Sequence, residues 1–207
     1  MRHICVIVAI LSALAGALAA KLQTRWAARC ANVPCGHLQA RLATIGQKIA
    51  AHGGEASYLV IGDSLTEIGA WRTMCGHAPV AAGISGARSD TWLPHAKGIA
   101  DALKPGFVVL AVGTNDVLTL ARLGPYEQLA SSLGGYPLVA VPLHGMPSAS
   151  PEATGEANNR IRKAVARTAE AIVADTTDGI HLTATDYAHW FDAIEKAACE
   201  DRWRGSQ

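Results

Sequence analysis

The chain has 207 residues, half of them hydrophobic, which is enough for one domain with a proper core. Eighteen Lys and Arg nearly balance seventeen Asp and Glu, leaving a formal net charge of +1. No basic stripe of the kind that neutralises a phosphate backbone runs along the sequence, which argues against nucleic acid as a partner.

In chain order the first feature is Arg2 and His3, followed by an apolar run over residues 4–18 that ends in Ala17-Leu18-Ala19-Ala20. A basic start, a short apolar stretch and small residues at its end read as a secretory signal peptide over residues 1–19, and hence as export to the periplasm or the medium. A spanning helix needs about 20 apolar residues, and this run is slightly short and interrupted by Ser12 and Gly16. The alternative is an uncleaved anchor through residues 4–20, the one case in which a membrane would be a partner.

Export leaves Cys30, Cys35, Cys75 and Cys199 in an oxidising compartment where bridges persist. Four cysteines permit three connectivities; the short Cys30–Cys35 spacing suits a local bridge, with Cys75 and Cys199 as the long-range pair. A zinc site is the weaker reading, because the pairs lack Cys-x-x-Cys spacing and His37 is the sole histidine close to Cys35.

Residues 20–56 form a leading helical segment, with Leu38, Leu42, Ile45 and Ile49 at helical spacing and Gly53-Gly54 as a stop. Its expected task is to cover a sheet. From Ser57 onward, in the remaining 57–207 domain, short apolar runs alternate with longer helical stretches, the pattern of an α/β fold with a parallel sheet. Strands are predicted at 58–61, 80–82, 107–112, 138–142 and 171–174, and a last helix at 184–199. The run 107–112 is continuously apolar, as a strand buried on both faces should be, and is placed at the centre. The long irregular stretch is 144–155, rich in Pro, Ser and Gly.

Four short segments at predicted strand ends carry chemistry. In Gly62-Asp63-Ser64-Leu65 an apolar strand runs into a serine on the turn that opens a helix. Ligands of open parallel sheets bind beyond the carboxyl ends of the strands, and a helix start offers free N–H groups for developing negative charge. The competing reading is that Ser64 or Asp63 only caps the helix. The segment is not the Gly-x-Ser-x-Gly elbow, since Thr66 stands two residues after Ser64.

Asp178-Gly179-Ile180-His181 falls between the last strand and the last helix. A carboxylate three residues before an imidazole can curl back onto the ring N–H, fix its tautomer and stabilise the imidazolium formed when it takes a serine proton. The other histidines lack an Asp at this spacing at a strand end; His144, after the fourth strand, is an accessory candidate. Gly83-Ile84-Ser85-Gly86 and Gly113-Thr114-Asn115-Asp116 complete the set. Each alone reads as an ordinary turn. Together they could direct the Gly86 N–H and the Asn115 amide at an oxyanion beside the Ser64 N–H.

These four blocks, in this order, resemble the SGNH or GDSL hydrolase family, GDSL-like lipases and acylhydrolases, over residues 58–198. The resemblance implies Ser64 as nucleophile, Asp178 and His181 as the rest of the triad, and Ser64, Gly86 and Asn115 as the oxyanion hole. It also implies a flavodoxin-like three-layer α/β/α sandwich with strand order 2-1-3-4-5, and hydrolysis of an ester or thioester through an acyl-enzyme with no metal or organic cofactor. In such a fold the first and last helices share a face, so that Cys75, near the end of the first, would reach Cys199 in the last.

The expected activity is cleavage of small-molecule or glycan esters. No large apolar lid is evident, which disfavours long-chain triglycerides and suits short acyl groups or carbohydrate O-acetyl esters. One alternative is an acyltransferase using the same triad with a sugar acceptor; another is a non-catalytic, envelope-associated binding module. Trp71 and Trp92 are sugar-stacking candidates, although tryptophans at such places more often serve packing.

Overall fold

The computed structural model describes residues 30, 32–119, 123–173 and 175–199. The expected signal peptide or anchor lies outside them. Among the described residues no helix is long and apolar enough to cross a membrane.

The helix predicted in the leading segment is α1 (Cys35–Ala51), whose Leu38 and Ile45 are buried while Leu42 and Ile49 pack beside them. There follow β1 (Ser57–Gly62), α2 (Ser64–Ile68), β2 (Ala78–Gly83), α3 (Ser89–Trp92), α4 (Ala96–Leu103), β3 (Phe107–Ala111) and α5 (Thr114–Leu118). The chain continues with α6 (Tyr126–Ser132), β4 (Leu138–Ala140), α7 (Pro151–Ala164) and α8 (Ala184–Cys199).

The four strands are parallel, in the order β2-β1-β3-β4. Successive side chains of a strand face opposite ways, and the sheet is apolar on both faces. Leu59, Ile61, Val108 and Leu110 meet Leu38 and Ile45 of α1, Leu129 of α6 and Ile161 of α7. Tyr58, Val60, Val109 and Val139 face Trp190, Phe191 and Ile194 of α8. Removing this two-sided apolar surface from water is the main driving force for the three-layer arrangement.

The predicted fifth strand is not seen: residues 171–173 form no strand, Ile172 is 83 % exposed, and Ala174 lies outside the described residues. The chain meets the β4 edge earlier, in a single parallel bridge between Ala140 and Thr168, closed by Ala140 N–H to Arg167 O (3.0 Å) and Ala169 N–H to Ala140 O (2.8 Å). Immediately afterwards Glu170 accepts two bonds from Arg162 of α7, at 2.9 and 2.8 Å, which draws the chain back toward that helix and away from the sheet edge. The irregular stretch after β4 is also shorter than predicted. Helix α7 starts at Pro151, because Ser150 caps it by accepting from Ala153 N–H at 3.1 Å and proline suits the first helical position.

Both disulfides are formed, Cys30–Cys35 with Cα atoms 5.1 Å apart and Cys75–Cys199 with Cα atoms 5.6 Å apart. All four thiols are thereby consumed, which removes the zinc alternative. Cys75 is not at a helix end as expected. Helix α2 stops at Ile68, and Cys75 occupies a turn closed by the antiparallel bridge of Met74 and His77.

Candidate active site

The site is assembled where three strands end side by side, since Gly62 is paired with both Gly83 and Ala111. Two glycines let α2 settle on these ends. A Cβ at Gly62 would lie 2.0 Å from Thr66 Oγ1 and 2.5 Å from Ala111 O, and one at Gly83 would lie 2.2 Å from the Glu67 backbone nitrogen. Trp92 Nε1 donates to the Gly62 carbonyl at 2.9 Å and closes the junction from beneath.

Asp63 and Ser64 divide the work at the start of α2. Asp63 is the N-cap, accepting from Leu65 N–H at 3.0 Å, and is fully buried. Burial pushes its carboxyl up to about 6, against the opposing bond from Leu65 N–H. Ser64 is thus relieved of capping, and its hydroxyl lies 2.9 Å from His181 Nε2. His181 Nδ1 lies 2.7 Å from Asp178 Oδ2. With the ring proton on Nδ1 and donated to Asp178, Nε2 is left to accept from the Ser64 hydroxyl.

Asp178 and His181 are presented by a loop folded on itself. Thr176 and Leu182 form an antiparallel bridge, and Thr177 N–H donates to His181 O at 2.7 Å. Asp178 Oδ1 accepts from the backbone of Ile180 (3.0 Å) and His181 (2.8 Å), with Gly179 at φ +86 making the turn. The His181 N–H, then the imidazole, hold the exposed Asp178 carboxyl down to about 2, so it stays ionised well below neutral pH. His144 is near Ile180 of this loop, and burial lowers its pKa toward the neutral form.

Gly86 lies three residues beyond β2, at φ +79, a conformation that favours glycine. Its carbonyl accepts from the Asn32 side chain. Asn115 is the second residue of α5, and its Nδ2 donates to Ala87 O at 3.1 Å, leaving one amide proton for another acceptor. The loop that carries Gly86, between β2 and α3, is fastened on both sides of that glycine in the same manner. Glu67 Oε2 accepts from Ser85 N–H (2.6 Å) and Ser85 Oγ (2.8 Å), while the buried Asp116 accepts from Ser89 N–H (2.9 Å) and Ser89 Oγ (2.5 Å).

The structure therefore brings Ser64, His181 and Asp178 into one hydrogen-bonded series and places Gly86 and Asn115 in the segments that follow β2 and β3, the strands on either side of β1. Sequence reasoning assigns no role to Glu67, Ser89, Arg41 or Asn32. Glu67 stands one helical turn after Ser64 and Asp116 directly follows Asn115, which is the signal the sequence offers for them. Trp71 and Trp92 are packing residues: Trp92 is fully buried, and Trp71 donates to Thr66 O at 2.9 Å and packs against Tyr58, Trp190 and Phe191.

Fold and geometry together define a parallel α/β/α sandwich with a Ser-His-Asp series at the carboxyl edge of its sheet. No family model and no curated protein matches the chain. Its fold is shared with solved structures. A lipase/acylhydrolase from Enterococcus faecalis is similar at 15% identity and a TM-score of 0.57, over 71% of this chain and 96% of that one. A GDSL-like lipase from Bacteroides thetaiotaomicron is similar at 18% identity and a TM-score of 0.56, over 79% and 97%. An acetyl xylan esterase from Geobacillus stearothermophilus is similar at 15% identity and a TM-score of 0.57, over 70% and 96%. At these identities the likeness establishes the fold.

Proposed function

We propose that this protein is an SGNH-type serine esterase that hydrolyses carboxylic esters through an acyl-enzyme. The observation that carries the reading is the unbroken series from Ser64 Oγ to His181 Nε2 at 2.9 Å and from His181 Nδ1 to Asp178 Oδ2 at 2.7 Å. Solved structures that share its fold include a lipase/acylhydrolase, a GDSL-like lipase and an acetyl xylan esterase, which supports ester chemistry over other uses of a serine.

In the proposed reaction the Ser64 hydroxyl attacks the ester carbonyl as its proton passes to His181 Nε2. Asp178 keeps the ring oriented and balances the imidazolium. The oxyanion is received by the N–H groups of Ser64 and Gly86 and by the Asn115 amide, contacts of a kind worth roughly 3–4 kcal/mol each. His181 then protonates the departing alcohol, and the same imidazole activates the water that releases the acid.

The substrate class is short acyl esters, including O-acetyl groups on carbohydrate. An acetyl xylan esterase is among the solved structures that share this fold, which supports a small acyl group as the part cleaved. The two disulfides support export as the setting.

Ser64→Ala should lower turnover of p-nitrophenyl acetate by at least about 10³-fold without lowering the melting temperature, and only the parent protein should be labelled by a fluorophosphonate. A panel of p-nitrophenyl esters of rising chain length, run beside acetylated xylan, reads the acyl preference. Full activity of Ser64→Ala would refute the mechanism.

A further inference from the structure

We propose that Glu67 is a positioning residue for catalysis, which sets the Gly86 N–H in place by gripping the residue before it; the inference rests on the oxyanion role proposed above. Glu67 touches neither the nucleophile nor its base. It lies on α2, one turn after Ser64, and its carboxylate is directed at the loop that leaves β2.

The contacts divide cleanly between the two oxygens. Oε2 accepts from both the backbone N–H and the hydroxyl of Ser85, at 2.6 and 2.8 Å. Oε1 is paired with Arg41 Nε at 3.2 Å, and Arg41 also donates to the Gly83 carbonyl through Nε at 3.1 Å and Nη2 at 2.9 Å. His37 Nε2 stands 3.7 Å from Oε2. The loop from Gly83 to Ser85 is thus tied at its carbonyl, its amide and its hydroxyl to a single ion pair between α1 and α2. The Glu67 side chain is 20% exposed, so these charge-assisted bonds are only partly screened.

The consequence is geometric. Ser85 is bonded to the same short helix that carries Ser64, so the peptide that bears the Gly86 N–H is referenced to the element that bears the nucleophile. Asp116 does the corresponding work on the far shoulder by holding Ser89 to the helix that carries Asn115. Gly86 itself, at φ +79 and without a side chain, is held on its far side through its carbonyl by Asn32, which leaves the peptide that carries its N–H to be fixed through Ser85. An oxyanion contact is valuable only when the donor is fixed beforehand, and a displacement near 1 Å costs on the order of a hundredfold in rate.

The test compares Glu67→Ala and Glu67→Gln with the parent on p-nitrophenyl acetate, and measures inhibition by a trifluoromethyl ketone that mimics the tetrahedral intermediate. Glu67→Ala should lower kcat about 30- to 100-fold with KM within about threefold, and weaken the ketone by the same factor as kcat/KM. Glu67→Gln, whose amide oxygen still accepts from Ser85 N–H, should fall between. Glu127→Gln, which breaks an exposed ion pair with Arg160 elsewhere on the surface, should leave kcat unchanged.

Should Glu67→Ala fail to fold, Glu67→Gln and Ser85→Ala carry the same comparison. Turnover that depends on Ser64 but is untouched by all Glu67 and Ser85 variants overturns this inference alone. Equal losses in kcat and in substrate affinity, with the ketone unaffected, also overturn it. Turnover independent of Ser64 overturns the esterase reading and this one with it.

Discussion

At the scale of single residues, the start of α2 separates two tasks that adjoining side chains would otherwise compete for. A serine at the N-cap would have its oxygen engaged by backbone N–H groups. Here Asp63 takes that place, and the neighbouring hydroxyl is free for an imidazole. The arrangement has a cost, because a fully buried carboxylate has lost its water. With its folded pKa raised to about 6 from the ordinary value of 3.8, Asp63 holds its proton more tightly folded than unfolded. Stability attributable to this group therefore falls as pH rises from about 4 through 6, and the penalty is fully present above 6. An asparagine in its place would keep a capping oxygen without the charge. The effect of Asp63→Asn on stability should be more favourable at pH 8 than at pH 4, as read from urea unfolding at a series of pH values. A gain that grew on acidification would contradict the assignment. The residues legible beforehand were those with short-range signatures, such as Asp178 and His181 three apart. Arg41 and Glu67 are 26 positions apart on different helices, and their pairing follows only from how α1 and α2 pack.

At the scale of elements, what could be read ahead was what local pattern dictates. β3 is continuously apolar and buried, and α8 has a periodic apolar face, so the positions of both follow from the sequence. The run 171–174 is equally apolar, yet strand formation needs a partner edge as well as composition. β4 is only three residues long, and the Arg162–Glu170 pair turns the chain away after one bridge. Composition alone does not reveal a competing ion pair. The seating of α2 is likewise a tertiary matter, decided by the absence of side chains at Gly62 and Gly83. Gly83→Ala would push a Cβ into the Glu67 backbone, where no rotamer change can relieve it. We expect a loss of about 3 kcal/mol in denaturant unfolding, together with slower labelling of Ser64, because the helix that must shift also carries the nucleophile. A Gly83→Ala protein as stable as the parent would show that α2 is not seated on this glycine.

At the scale of the whole molecule, one face of the sheet is covered mainly by α8, which begins directly after the loop bearing His181. Its Trp190, Phe191 and Ile194 pack on β1, β3 and β4, and its last residue is bonded to Cys75 in the turn that precedes β2. The Cys75–Cys199 bridge closes a span of 124 residues, against five for Cys30–Cys35. Loop-closure entropy then predicts about 5 kcal/mol of stabilisation for the long bridge and about 2 kcal/mol for the short one. Replacing Cys75 and Cys199 by Ala should therefore lower the melting temperature more than replacing Cys30 and Cys35. It should also lower activity before the sheet unfolds, because releasing the end of α8 loosens the element on which the His181 loop is mounted. Calorimetry and ester turnover on the two double variants separate these effects. If the Cys30–Cys35 variant were the less stable of the two, the covering of this face would owe more to side-chain packing than to its covalent tie.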